Sequence, residues 1–266
     1  MSERLIRPAR TRLTRRSLLM GLGVGAAAAP LSACSFDAGS PATLSILEKA
    51  EALTKAVQRA LLGPETAMAR EFPPGAISAY FKPNGSVDPE DAQYVALRQG
   101  GFQDWKLEVG GLVERPMKLS LADLRALPSR SQITRHDCVE GWSCIGKWKG
   151  AVLAELLRQV GLRPQARYLM FYCADPMDLG NPQSKYYESI DLAEALHAQT
   201  ILAYEMNDKV LDIRHGAPLR LRVERQLGYK MAKYIMRIEA VESFASIRGG
   251  NGGYWEDRGY AWYAGI

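Results

Sequence analysis

The sequence predicts an α+β domain of mixed, mostly antiparallel sheets with short helices. Three observations predict it. Past Ser40 the chain falls into short apolar segments, several of them closed by Gly or Pro. Helical and alternating segments are interleaved without the regular strand–helix–strand order of a parallel sheet. No Gly-x-Gly-x-x-Gly follows a strand, which disfavours a nicotinamide-binding Rossmann domain. About 230 residues follow position 34, enough for one sizeable domain with a small extension.

The elements follow in order. Leu44, Leu47, Leu53, Val57 and Leu61 recur at roughly helical spacing and predict a helix over 44–62, ended by Gly63-Pro64. A Pro/Gly-rich stretch runs from Phe72 to Gly85. Trp105 to Val109 alternates and reads as a strand, with Gly110-Gly111 as its turn. Ser120 to Leu127 reads as a short helix stopped by Pro128, and Ala151 to Val160 as another closed by Gly161. Tyr168 to Cys173 is an apolar strand, Ile190 to His197 a short helix, and 218–223 and 234–241 are strands.

The N-terminus decides the compartment. Arg4, Arg7, Arg10, Arg12, Arg15 and Arg16 stand against one acid, Glu3, and precede a short run of small apolar residues from Leu18 to Ala29. That run is too short for a comfortable membrane span, and the pattern is that of an export signal. Arg15-Arg16 within Leu13 to Leu19 points to the twin-arginine type, which carries folded proteins, with a general secretion signal as the alternative. Leu31-Ser32-Ala33-Cys34 resembles a lipobox, so a lipid on Cys34 would tether the chain to a membrane; simple cleavage is the alternative. The expected organisation is a signal over 1–34, a helical extension over 35–75 and the main domain over 76–266. Of 34 basic and 29 acidic residues, the signal holds six and one, which leaves 28 of each. The net charge of +5 therefore belongs to the targeting segment and gives no support for nucleic-acid binding. Besides Cys34 only Cys138, Cys144 and Cys173 remain, too few for a disulfide framework. No Cys-x-x-Cys is present, which argues against zinc ribbons, iron–sulfur clusters and c-type haem.

The densest chemistry lies in Thr134 to Gly150, where Cys138 stands among Arg135, His136, Asp137, Glu140, Trp142 and Trp148. Arg135 nearby is expected to lower the thiol's pKa. On physics alone Cys138 could be a nucleophile, a ligand for a soft metal, or a packed core thiol. Cys-Val-Glu-Gly-Trp-Ser followed by Trp-x-Gly and a leucine-rich helix resembles the molybdenum-binding segment of the sulfite oxidase superfamily. The likeness is closer to the exported bacterial branch that includes periplasmic protein-methionine-sulfoxide reductases. Trp105 to Pro116, Leu202 to Asn207 and His215 to Arg220 are similar to family stretches in the same order, and the resemblance spans about Ile77 to Ile266.

The resemblance implies a sulfite-oxidase-type molybdopterin-binding domain. Cys138 would be the molybdenum ligand, beside the two sulfurs of a pyranopterin dithiolene. His215 and Arg220 match a His-Gly-x-Pro-x-Arg motif that precedes the phosphate contacts. Lys233 aligns with a phosphate-binding lysine, and Lys230 is a second candidate. Glu224 stands where the family often has proline. Asn84 would meet the pterin edge, Cys173 and Asp175 occupy pterin-contacting spacings, and Lys82 sits near an active-site arginine position. Cys173 could equally be a core thiol, and Cys144 reads as a buried or half-buried one. Trp255-x-x-Arg258-x-Tyr260 resembles an element that reaches substrate, and a packed aromatic tail is its alternative.

The implied reaction is a two-electron oxo transfer on a small sulfur-oxo substrate or sulfoxide, including oxidised methionine in proteins. Sulfite oxidation is the alternative. Electrons would pass through a separate haem or cytochrome partner. The subunit is expected in the periplasm, without nucleic acid, and as a monomer, because the chain ends soon after this domain. A lipid-anchored binding protein that keeps the fold without the metal is the alternative of another class.

Overall fold

The computed structural model describes residues 67–266, apart from 179 and 182, together with 53, 54, 56 and 57. The expected signal and Cys34 lie outside the described residues. Of the expected helix over 44–62, the described residues Leu53, Thr54, Ala56 and Val57 are helical. Among the described residues no helix is long and apolar enough to cross a membrane.

Residues 48–266 form one compact unit built on two five-stranded sheets. The first has the order β2 (Met117–Leu119), β1 (Leu107–Gly111), β10 (Ile235–Val241), β5 (Tyr168–Pro176), β6 (Lys185–Asp191). The second runs β3 (Ser129–Asp137), β4 (Ser143–Val152), β7 (Ile201–Met206), β8 (Lys209–Val210), with β9 (Arg220–Arg222) also paired to β7. Only β1 with β10 is parallel among these pairings, so the sheets are mixed and mostly antiparallel.

Among the described residues from 67 on, short α-helices decorate the sheets: α1 (Ala92–Gln99), α2 (Leu121–Ala126), α3 (Leu153–Val160) and α4 (Leu192–Ala195). In α3, Leu153, Leu156, Leu157 and Val160 form the i, i+3, i+4, i+7 stripe that enters the main core with Trp105, Leu107, Phe171 and Ile238. α2 starts on a capping box, in which Ser120 and Asp123 satisfy each other's backbone N–H. A second core of Phe81, Trp148, Ile201, Ala203, Met206 and Leu211 lies on the other sheet, and a third joins Tyr94, Ala174 and Tyr234.

Several boundaries differ from the sequence reading. Gly110 and Gly111 do not turn; they continue β1 and pair with Glu239 and Ala240. Ala151 and Val152 finish β4 opposite Ser129 and Leu202, and Ile201 lies across from Val152, so the third helix begins at Leu153. The helix expected over 190–197 shrinks to α4, because Asp191 caps it through Glu194 N. The expected extension is not detached at its end: Phe72 N donates to Ile133 O at 2.9 Å, and Glu71 bridges to Thr134.

Buried charge fills the back of the second sheet. Arg222 and Glu224 form a bidentate pair at 2.9 and 2.6 Å, and Gln132 donates to the same carboxylate at 2.9 Å. Arg222 also lies 4.4 Å from the Trp148 ring and 3.0 Å from His136 Nδ1. Glu224, which replaces the expected proline, is thus the counter-charge of a fully buried arginine.

Candidate active site

Cys138 sits where one hairpin turns. β3 and β4 pair from Ser129↔Ala151 to Asp137↔Ser143, which leaves Cys138 to Trp142 as the loop. Cys138 N donates to Trp142 O and Gly141 N to Cys138 O, both at 2.9 Å. Gly141 has φ +85°, a conformation that side chains disfavour, so the tight loop needs glycine there. Cys138 is half-buried and opens into a cleft where the sheets meet the loops. The cleft holds about 690 Å³, counting solvent at its mouth, within the range of ordinary ligand sites.

Of the residues singled out from sequence, Asn84, Cys138, Asp175, Lys233 and Tyr260 line this cleft. Lys233 Nζ donates to the carbonyls of Asn84 at 2.6 Å, Arg214 at 3.1 Å and Ser86. Burial, then Arg220, draws its pKa down, while burial pushes the Asp175 carboxyl up against the pull of Lys233. Arg220 is fully buried behind Lys233, with Nη1 donating to His215 O at 2.9 Å and its charge 4.8 Å from the Trp148 ring. Burial and Arg222 bring its pKa down to about 9.

Other assignments are placed elsewhere. His215 does not line the cleft: its Nε2 meets Phe81 O at 3.1 Å and its Nδ1 meets Asp212 Oδ1 at 2.7 Å, which fixes the segment that leads to Asn84. Lys230 is not free for a phosphate, because Glu188 and Glu256 hold its ammonium at 2.5 and 2.6 Å. Arg258 lies 3.5 Å from the Tyr254 ring and donates to Tyr254 O, outside the cleft lining. Cys173 is buried behind the cleft, its thiol pushed well up by burial and Asp175. Cys144 is half-buried, its Sγ 3.7 Å from Tyr80 O. Lys82 is exposed beside Glu140 and Trp142.

The expected effect of Arg135 on Cys138 is overturned. Arg135 is engaged by Asp137 at 2.9 Å, and burial raises the Cys138 pKa. Trp255, the first residue of the C-terminal element singled out from sequence, also lines the cleft, whereas sequence reasoning did not single out Met177, Tyr186, Tyr229 and Met231. Tyr260 stacks on Trp255 at 5.3 Å and meets Tyr229 edge-on at 5.3 Å, giving one wall of aromatic rings.

The site fits a polar organic cofactor. Asn84 Oδ1, Asp175 Oδ1, and Arg220 Nε and Nη2 are buried without hydrogen-bond partners, a costly state that a ligand with complementary groups relieves. Among the described residues no cluster of three or more His, Cys, Asp or Glu could hold a metal. A metal bound through Cys138 alone must therefore bring its other ligands with it, as a dithiolene complex does.

Comparison with known proteins agrees. The sequence profile described as "Oxidoreductase molybdopterin binding domain" matches residues 94–246. The chain is 40% identical to the "Putative protein-methionine-sulfoxide reductase subunit YedZ1" of Azospira oryzae over 208 residues, 78% of this chain and 68% of that protein. It is 32% identical to the "Protein-methionine-sulfoxide reductase catalytic subunit MsrP" of Ralstonia nicotianae over 240 residues, 86% of this chain and 69% of that one. Fold, cleft and sequence together place this chain in the oxidoreductase molybdopterin binding domain family, as a molybdopterin-dependent oxidoreductase.

Proposed function

We propose that this protein is an exported sulfoxide reductase, acting on thioether oxides such as oxidised methionine. The observation that carries the reading is the lining of the cleft. Met177, Tyr186, Tyr229, Met231, Trp255 and Tyr260 give it an aromatic and thioether wall. Lys233 is the one cation among the described residues that line it, and its three donors already serve backbone carbonyls. Sulfite would have to be desolvated with its charge and matched by cations, whereas a neutral sulfoxide needs one donor and apolar contact. The names of the two relatives support the same substrate class.

Bound through Cys138, a molybdenum pyranopterin supplies two-electron oxo transfer. Asn84 and Asp175 would hydrogen-bond the pterin, and Lys233 and Arg220 would supply positive charge near its phosphate. The Tyr260 hydroxyl would donate to the sulfoxide oxygen, while Trp255 and Tyr229 flank its carbon substituents. Electrons would come from a separate haem or cytochrome partner, since the chain has no Cys-x-x-Cys-His. The twin-arginine pattern around Arg15-Arg16 supports export to the periplasm, and Cys34 is a candidate lipid anchor.

The test is a substrate comparison on the loaded enzyme. Methionine sulfoxide and an aryl methyl sulfoxide are offered with a reduced dye, and sulfite with an oxidising dye. Sulfoxide reduction with little sulfite oxidation is expected. Faster turnover of sulfite would overturn the assignment.

A further inference from the structure

Behind the cleft wall formed by β6 lies a charged cluster that the reading above does not use. Lys230, Glu188 and Glu256 are 1%, 0% and 3% exposed. Lys230 Nζ donates to Glu188 Oε1 at 2.5 Å and to Glu256 Oε1 at 2.6 Å, and the Trp262 ring covers it at 5.3 Å. Two carboxylates and one ammonium leave a surplus negative charge, which a dry interior removes most readily by binding one proton.

The hydrogen bonds say where that proton sits. Tyr186 lies two residues before Glu188, on the same face of β6. Its single hydroxyl hydrogen has two oxygens in reach: Tyr229 O at 2.5 Å and Glu188 Oε2 at 3.2 Å. The nearer carbonyl, which can only accept, takes that hydrogen. The contact with Oε2 is then a hydrogen bond only if Glu188 itself carries a proton and donates. Burial, reinforced by Glu256 and outweighing Lys230, lifts the Glu188 carboxyl well above the usual range. The other titratable groups facing this pair are Cys173 and Asp175 on β5; burial keeps the Cys173 thiol protonated and lifts the Asp175 carboxyl to about 7. Tyr186 itself lines the cleft together with Cys138 and Asp175.

We propose that Glu188, backed by Glu256 and Lys230, is the proton store of this active site, and that the Tyr186 hydroxyl passes its proton into the cleft. The proposal rests on the oxo-transfer reading. Reducing a sulfoxide with two electrons from the redox partner takes up two protons and gives a thioether and water. Tyr186 Oη gives its hydrogen to the cleft as the hydroxyl turns from Tyr229 O. Glu188 Oε2–H restores the phenol in the same movement. The Glu188 carboxylate left behind is held by Lys230 until solvent returns the proton, and a second passage delivers the second proton. An oxidation would run the same route outward.

The test uses holoenzyme of the parent, E188Q and Y186F. The expected result is full molybdenum content, KM within about twofold, and kcat lowered about 10²-fold in both variants. The fall of the parent rate with rising pH, as Glu188 loses its proton, should be missing in Y186F. Independently of turnover, the infrared spectrum near neutral pH should show a protonated carboxyl band that E188Q removes. Y186F deletes only a hydroxyl, so it carries the kinetic arm if E188Q fails to fold. Parent-like kcat and pH profile in the variants, or no carboxyl band assignable to Glu188, would overturn the proposal. If the parent oxidises sulfite and reduces no sulfoxide, the substrate reading fails alone. The relay is then judged on the same variants with sulfite, where unchanged rates would overturn it.

Discussion

A single methyl group at Gly228 should disturb the fold and the metal site together. A Cβ there would lie 2.4 Å from both Cε1 and Nε2 of His136, and 3.4 Å from Asp137 O. The His136 ring is fully buried and cannot step aside freely. Phe81 and Trp142 pack against it at 5.7 and 5.6 Å, while Nδ1 faces Met231 Sδ at 3.2 Å and Arg222 Nη1 at 3.0 Å. Restoring ordinary contact requires a shift of about 1 Å in a packed ring, and overpacking of this kind costs about 1–3 kcal/mol. Because Cys138 follows His136 by two residues, just past the end of β3, the shift reaches the proposed metal ligand. G228A should lower the guanidinium midpoint at unchanged m-value by an amount in that range and should reduce molybdenum occupancy. Adding H136A opens room for the methyl, so the double variant should be more stable than the two single costs imply, by about 1 kcal/mol or more. A G228A protein within about 0.5 kcal/mol of the parent, or strict additivity with H136A, would refute the reasoning.

Three further outcomes follow from the buried charges and the cleft. Glu224→Ala should destabilise the protein by about 3–5 kcal/mol in urea unfolding, because Arg222 loses its counter-charge, whereas an Arg222→Met, Glu224→Leu pair should recover most of the loss. The Asp175 carboxyl is raised to about 7 in the folded state. Its contribution is therefore fully present below its unfolded pKa near 4 and lost as pH rises toward 7, by about 1.4 kcal/mol per unit at most. Stability of cofactor-free protein measured across that window should fall with pH, and Asp175→Asn should flatten the slope. Tyr260→Phe should keep molybdenum and lower kcat on sulfoxides about 10²-fold; an unchanged kcat would remove Tyr260 from the substrate.

The elements readable from sequence were those whose burial follows one simple period. The leucine stripe of α3 and the apolar run of β5 are of this kind. β3 was not legible, because its inward positions Gln132, Thr134 and His136 are polar. They face Arg222 and Glu224, so the alternation is real but not hydrophobic. β6 is buried on both faces from Tyr186 to Ile190 and shows no alternation at all. α1 buries only Tyr94 and so lacks a stripe. The same logic applies to the site. Cys138, Asn84 and Lys233 stood out through a motif, whereas Tyr186 and Glu188 lay in an unrecognised strand. Lys230 was picked out as a second phosphate-binding candidate, yet two acids distant in sequence hold its ammonium. Only the folded chain brings Glu188, Lys230 and Glu256 together.

The central claim is that Cys138 holds molybdenum carried by a pyranopterin. The most direct measurement is the metal and pterin content of protein recovered from its own exported fraction, beside a Cys138→Ala variant. The account predicts about one molybdenum and about one pterin per chain, with the metal lost or its electronic signature altered in the variant. Parent protein that contains neither, from cells replete in molybdenum, would contradict it.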